Sequence, residues 1–125
     1  MKAVWFESFG AANDVLIVGE REMPVAGDGE VLVRLSTSAI NPSDVKKRAG
    51  SAPGLLDQGP VIPHSDGAGV IEAIGSGVAP ERLGERVWVY QAQHGRRFGT
   101  AAGYVALNAR RAVQLPANTS YEVGA

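Results

Sequence analysis

The sequence predicts a mainly β fold, a barrel or sandwich of short strands, and three observations carry that expectation. Apolar residues gather in short runs rich in Val, Ile, Trp and Tyr, as in Val31-Leu32-Val33-Arg34-Leu35-Ser36. Turn formers break the chain at close intervals, with 16 glycines and 7 prolines among 125 residues. Only one stretch, Pro42 to Ala49, carries helix signals at both ends.

In chain order, Ala3 to Phe6 forms the first expected strand. Gly10 to Asp14 is a turn, and Val15 to Glu22 continues in extended form. Met23 to Glu30 holds Pro24, Gly27 and Gly29, and is a loop. In the next strand, alternation sets Val31, Val33 and Leu35 on one face. For the helix, Asn41 is a cap, Pro42 suits the first turn, Asp44 favours the positive end of the dipole, and Gly50 ends it. Ile71 to Ile74, Arg86 to Tyr90, Tyr104 to Leu107 and Ala112 to Leu115 complete the strands. Thr119-Ser120-Tyr121-Glu122 has the spacing of a capping box, so a helix is expected to begin there. One turn of helix does not hold itself together in water. The segment is therefore expected either to be disordered or to open the helix leading into a second domain.

Length and composition fit one globular domain with a real core: 45% of residues are hydrophobic and 20% charged. A net charge of -1 gives no reason to expect nucleic acid or an anionic membrane surface as partner. The absence of cysteine removes disulfides, thiolate metal sites and a cysteine nucleophile, and fits a cytoplasmic protein. No apolar run approaches the roughly 20 residues of a membrane span.

Gly67-Ala68-Gly69 resembles the opening of a dinucleotide-binding loop, but Glu72 stands where the third glycine belongs. The residues that follow, Val70-Ile71-Glu72-Ala73-Ile74, read as a strand and not as a helix start. These glycines are expected to serve a close backbone approach or a bulge within a barrel strand.

Five motifs in order carry a family resemblance: Met1-Lys2-Ala3-Val4, Ala39-Ile40-Asn41-Pro42-Ser43-Asp44, Pro63 to Gly75, Gly84-Glu85-Arg86-Val87, and Gly99-Thr100-Ala101-Ala102-Gly103-Tyr104. The chain resembles the N-terminal, GroES-like catalytic domain of the medium-chain dehydrogenase/reductase superfamily. Its nearest likeness is the zinc-independent quinone oxidoreductase (zeta-crystallin-like) branch. The resemblance covers residues 1–125 and implies a partly open β-barrel with one short helix, followed in the family by a Rossmann domain that binds NADPH. It also implies a homodimeric full-length enzyme.

The zinc-dependent members place a Cys and a His at the positions occupied here by Asn41 and Ser65. A catalytic zinc needs a set of His, Cys or carboxylate ligands at fixed spacing, and no metal is expected. His64, one residue before the ligand position, reads as a loop histidine bonded to backbone or water. Without a metal, a quinone or an α,β-unsaturated carbonyl is an easier substrate than an alcohol, because conjugation moves the incoming charge to an oxygen that a hydrogen-bond donor stabilises. The nicotinamide would supply the hydride.

Asn41 is the leading site residue, as carbonyl donor and nicotinamide contact, though a helix cap explains it equally well. Asp44 would orient Asn41 or a water, or simply favour the helix N-terminus. Lys46 stands where the family often has Tyr; it and Arg48 are cofactor candidates, with a solvated helix face as the plain alternative. Ser65, Tyr90 and Gln91 are expected to line the substrate cleft, Tyr90 alternatively being core. Gly103 replaces a Glu common in the family. Two other readings stand beside a quinone reductase: an enoyl or alkenal reductase of the same superfamily, and a non-catalytic barrel like a co-chaperonin subunit. By itself the 125-residue chain is expected to be inactive, since the phosphate-binding loop would lie in the second domain.

Overall fold

A computed structural model describes residues 1–125. Strand β1 (Lys2–Trp5) pairs antiparallel with β2 (Ile17–Glu20) across a short helix α1 (Ala12–Val15). The main sheet has five antiparallel strands in the order β6-β3-β4-β5-β7. They are β3 (Glu30–Ala39), β4 (Asp66–Ile74), β5 (Arg86–Val89), β6 (Tyr104–Asn108) and β7 (Ala112–Gln114). Helix α2 (Pro42–Lys46) follows β3, and α3 (Tyr121–Gly124) follows β7.

The sheet curls because one face of every strand buries the same apolar cluster. Val31 and Val33 of β3, Ile71 of β4, Val87 and Val89 of β5, Val105 and Leu107 of β6, and Ala112 of β7 share it. Burial of these β-branched and leucyl side chains is the main driving force of the fold. The edge strands β6 and β7 do not pair with each other, so the barrel is partly open. Single bridges outside the two sheets tie the flanking segments together: Ala3 to Ala102, Phe6 to Val61, and Ile62 to Phe98.

The glycines of β4 serve close approach, as the sequence suggests. Register shifts occur in β3 between Leu32 and Val33 and between Leu35 and Thr37, where β3 crosses β4. There a Cβ on Gly69 would stand 2.0 Å from the Arg34 carbonyl oxygen, and one on Gly67 2.7 Å from that of Thr37. The first shift also explains why Leu32 is buried beside Val31 and Val33, against simple alternation.

Several boundaries differ from expectation. β3 runs to Ala39 and β4 begins at Asp66, because each strand keeps pairing through polar and glycyl residues that carry no strand signal of their own. Val15 closes a helical turn, since its side chain packs against Phe6 and Val61. The helix expected over Pro42 to Ala49 ends at Lys46 and widens over Lys47–Ser51, with Gly50 at φ 106°.

The segment expected to be disordered or to start a helix does form a helix, and it is docked. Its cap is Ser120, not Thr119: the Ser120 hydroxyl accepts from the Val123 amide at 3.3 Å. Thr119 instead accepts through its carbonyl from Arg86, at 2.6 Å. The same guanidinium donates to the carbonyls of Pro116 and Ala117 at 3.2 and 3.1 Å and lies 4.6 Å over the Tyr121 ring. On the other side, the Thr37 hydroxyl donates to the Tyr121 carbonyl at 2.8 Å.

A pair of alanine substitutions separates steric from conformational demands on glycine. Gly69→Ala should cost about 3 kcal/mol, at the upper end of overpacking, because the obstacle is backbone. Gly29→Ala, at φ 70° with open space around it, should cost roughly 1–2 kcal/mol. Urea denaturation of the two variants checks the order.

Candidate active site

The site lies where β3 ends and β4 begins, because Ala39 pairs with Asp66 and the chain on either side carries the chemistry-bearing residues. Beyond Ala39 come Asn41 and α2; before Asp66 come His64 and Ser65.

Asp66, which the sequence reading passed over, is the centre. Its Oδ2 accepts from the Asn41 side-chain amide at 2.6 Å, and its Oδ1 accepts more weakly from the Gln91 backbone at 3.4 Å. A carboxylate only accepts, so the Asn41 atom facing it is the amide nitrogen. Asn41 is also the N-cap of α2, as expected, and the Asp44 carboxylate answers it by accepting from the Asn41 backbone amide at 2.7 Å. Asn41 retains one side-chain N–H.

A second chain of hydrogen bonds meets at the same residue. The Thr100 hydroxyl donates to the Asp66 backbone carbonyl at 2.7 Å. Ser38 Oγ lies 2.9 Å from Thr100 Oγ1, and His64 Nδ1 lies 2.8 Å from Ser38 Oγ. Thr100 is fully buried.

His64 and Gln91 are the two non-glycine residues with positive φ, at 75° and 50°. Both sit beside Asp66, and such conformations persist only where surrounding structure enforces them. For His64 the enforcement is backbone pairing: the amides of Gly99, Thr100 and Ala101 donate to the carbonyls of Ile62, His64 and Pro63 at 2.8, 2.9 and 3.1 Å. For Gln91, the Ala92 amide donates to the Ser65 carbonyl at 2.8 Å and Arg111 donates to the Gln91 carbonyl at 2.8 Å.

The other expected site residues divide. Asp44 is buried, and its Oδ1 has no hydrogen-bond partner. Asp44, Arg48 and His64 line one cavity of about 190 Å³ with Ile40, Val45 and Pro63. The Arg48 guanidinium donates to the Gly10 carbonyl, so part of it holds the turn before α1. Lys46 is exposed and forms no ion pair. Ser65 is half-buried beside Asp66. Tyr90 stacks against Trp88 with ring centroids 5.5 Å apart.

The sequence missed Asp66, Ser38 and Thr100, and gave His64 only a loop role. The available signal was the His64-Ser65-Asp66 triplet between an apolar run and a glycine-rich strand. Ser38 and Thr100 gave none, since only the β3–β4 pairing and the Gly99 contact bring them to it.

Burial pushes the His64 imidazole below its ordinary 6.5, while the Asp44 carboxylate works in the opposite direction. A histidine whose folded value is depressed binds fewer protons folded than unfolded, so its contribution to stability is present above 6.5 and lost as pH falls through the folded value. Acidification from neutral pH should therefore lower urea stability. His64→Asn, which keeps a residue tolerant of positive φ, should flatten that dependence below 6.5. Denaturation midpoints at a series of pH values measure it.

A family model described as the alcohol dehydrogenase GroES-like domain matches residues 27–117. An NADPH-dependent alkenal/one oxidoreductase of Arabidopsis thaliana, described as chloroplastic, is 26% identical over 97% of this chain and 32% of its own length. An alcohol dehydrogenase of Geobacillus stearothermophilus is 38% identical over 74% of this chain and 27% of its own. The solved quinone oxidoreductase from Coxiella burnetii superposes with a TM-score of 0.92 at 26% identity, covering 100% of this chain and 40% of that one. The chain thus spans about a third of the length of the curated relatives it matches. No helix is long and apolar enough to cross a membrane.

Proposed function

Because the chain belongs to the family of the alcohol dehydrogenase GroES-like domain, matched over residues 27–117, we propose that it is the catalytic-domain portion of an NADPH-dependent reductase of quinones or α,β-unsaturated carbonyls that works without zinc. Relatives named as alkenal/one and quinone oxidoreductases support the reaction class. The observation that carries the reading is the Asn41 amide, fixed on Asp66 with one N–H left to donate.

Bound NADPH supplies the hydride. The chain's own residues position the substrate and receive the charge that develops on its oxygen. Asn41 is aligned by a charge-assisted bond, so its second N–H needs no reorganisation to meet a carbonyl oxygen. An amide turned as donor toward a carboxylate is also a poor metal ligand, and Ser65 beside it supplies only a hydroxyl. Lys46, exposed and unpaired, suits contact with an anionic part of the cofactor, and Arg48 keeps N–H groups beyond the one on Gly10. Ser65, Tyr90 and Gln91 form the near wall of the cleft in this reading, and a Rossmann domain forms the far wall. A cysteine-free domain of this kind suits a reducing compartment such as the cytoplasm, as part of a homodimeric enzyme.

The test is NADPH oxidation with a quinone and with an enone, by the enzyme that carries this domain with its nucleotide-binding domain. Asn41→Ala should lower kcat by about 10²-fold, the order for losing one oxyanion donor. An unchanged kcat would reduce Asn41 to a structural partner of Asp66. Elemental analysis of the same enzyme should find no stoichiometric zinc. One equivalent of zinc, lost together with activity on chelation, would overturn the zinc-free reading.

A further inference from the structure

The hydrogen-bond chain from His64 to Asp66 has a direction, and the direction follows from counting protons. The Asp66 carbonyl only accepts, so the single Thr100 hydroxyl proton lies in that 2.7 Å contact. Thr100 Oγ1 must then accept from Ser38, whose single proton fills the 2.9 Å contact. Ser38 Oγ, its proton committed, must accept from His64 Nδ1 at 2.8 Å. Nδ1 therefore carries a proton whether the ring is neutral or charged. The proton that comes and goes is on Nε2, which has no protein partner.

The surroundings suit an exchangeable proton. His64 shares its cavity with Asp44, whose sealed Oδ1 has no hydrogen-bond partner. An orphaned buried acceptor is rare and calls for a role. Burial holds the His64 imidazole below its ordinary value and the Asp44 carboxylate opposes that shift; Asp44 itself is held in place by the Asn41 backbone amide. The other charged groups nearby are Arg48, which lines the cavity and is tied to the Gly10 carbonyl, and Asp66, which is occupied by Asn41. Asp44, which accepts from the Asn41 backbone amide, lines the same cavity as His64, so one residue links the imidazole to Asn41.

Resting on the reductase reading, the geometry points to His64 as the proton donor of the reaction, with Ser38, Thr100 and Asp44 as the residues that position and load it. As hydride from NADPH brings two electrons to the conjugated substrate, the Nε2–H bond of the imidazolium breaks and an O–H bond forms on the substrate oxygen. The electron pair of the broken bond remains on Nε2 as the neutral ring's lone pair. Solvent restores the proton, since the ring is half-exposed. The Nδ1–H bond to Ser38 is untouched throughout.

Two measurements test this. ¹⁵N NMR of the histidines, of which there are two, should show neutral His64 as the Nδ1–H tautomer, with Ser38→Ala giving a mixed tautomer population. Asp44→Asn, which keeps an acceptor for the Asn41 amide, should lower the His64 titration midpoint further. In the NADPH-dependent assay, kcat should fall as pH rises through the His64 midpoint. His64→Asn should lower kcat by about 10²-fold or more and remove that limb, with KM little changed. An Nε2–H tautomer in the native protein, or a His64→Asn enzyme with an unaltered pH profile, overturns the inference while leaving the reductase reading intact. An enzyme that reduces neither quinone nor enone overturns both.

Discussion

The site depends on one close backbone approach. A Cβ at Gly99 would stand 2.0 Å from the His64 carbonyl oxygen and 2.5 Å from that of Pro63, so only glycine lets the two segments meet. Their meeting makes the three amide-to-carbonyl bonds that hold residues 62–64 against 99–101. Those bonds in turn hold His64 in a conformation that an unsupported histidine would leave. Thr100, placed by the same approach, is what gives the hydroxyl chain its far end. Without this contact there would be a barrel with similar strands and no ordered polar cluster at its edge.

Asp66 unites two networks that would otherwise be independent. Its side chain orients Asn41, and its backbone terminates the chain that begins at His64. A shift of Asp66 would disturb the Asn41 amide and the His64 imidazole together, so substitutions at the two should be non-additive in double-mutant cycles. This also ranks the roles of α2. Asp44 closes the cap of the helix through one carboxylate oxygen, keeps the other buried without a partner, and lines the cavity that His64 also lines.

The fold was legible because its strands announce themselves by composition. Val31 to Leu35, Arg86 to Val89 and Tyr104 to Leu107 combine β-branched or aromatic residues with flanking turn formers. The start of β4 was not legible, because Asp66-Gly67-Ala68-Gly69 pairs for reasons that lie in β3, namely two register shifts and a neighbouring carbonyl. At the candidate site, Asn41 and Asp44 stand out in the sequence because helix-start chemistry and family likeness both mark them. Which groups they bind was beyond reach, because an amide that can cap a helix and an amide that can meet a carboxylate look the same in sequence. Ser38 is the extreme case, a strand residue whose hydrogen bond depends on the backbone angle of a residue 26 positions away.

The clamp at Arg86 has a consequence for motion. A helix of four residues has no stability of its own and would fray on the nanosecond-to-microsecond scale. Here its approach is anchored by three carbonyls and a ring stacked on a guanidinium that belongs to β5. Its opening is therefore coupled to the opening of that strand, and the Gly124 amide, bonded to the Ser120 carbonyl at 3.1 Å, should exchange its hydrogen with solvent as slowly as its neighbours in the sheet allow. The Tyr121–Gly124 turn opens with the barrel's cooperative unit, tied to β5 through Arg86 and to β3 through Thr37.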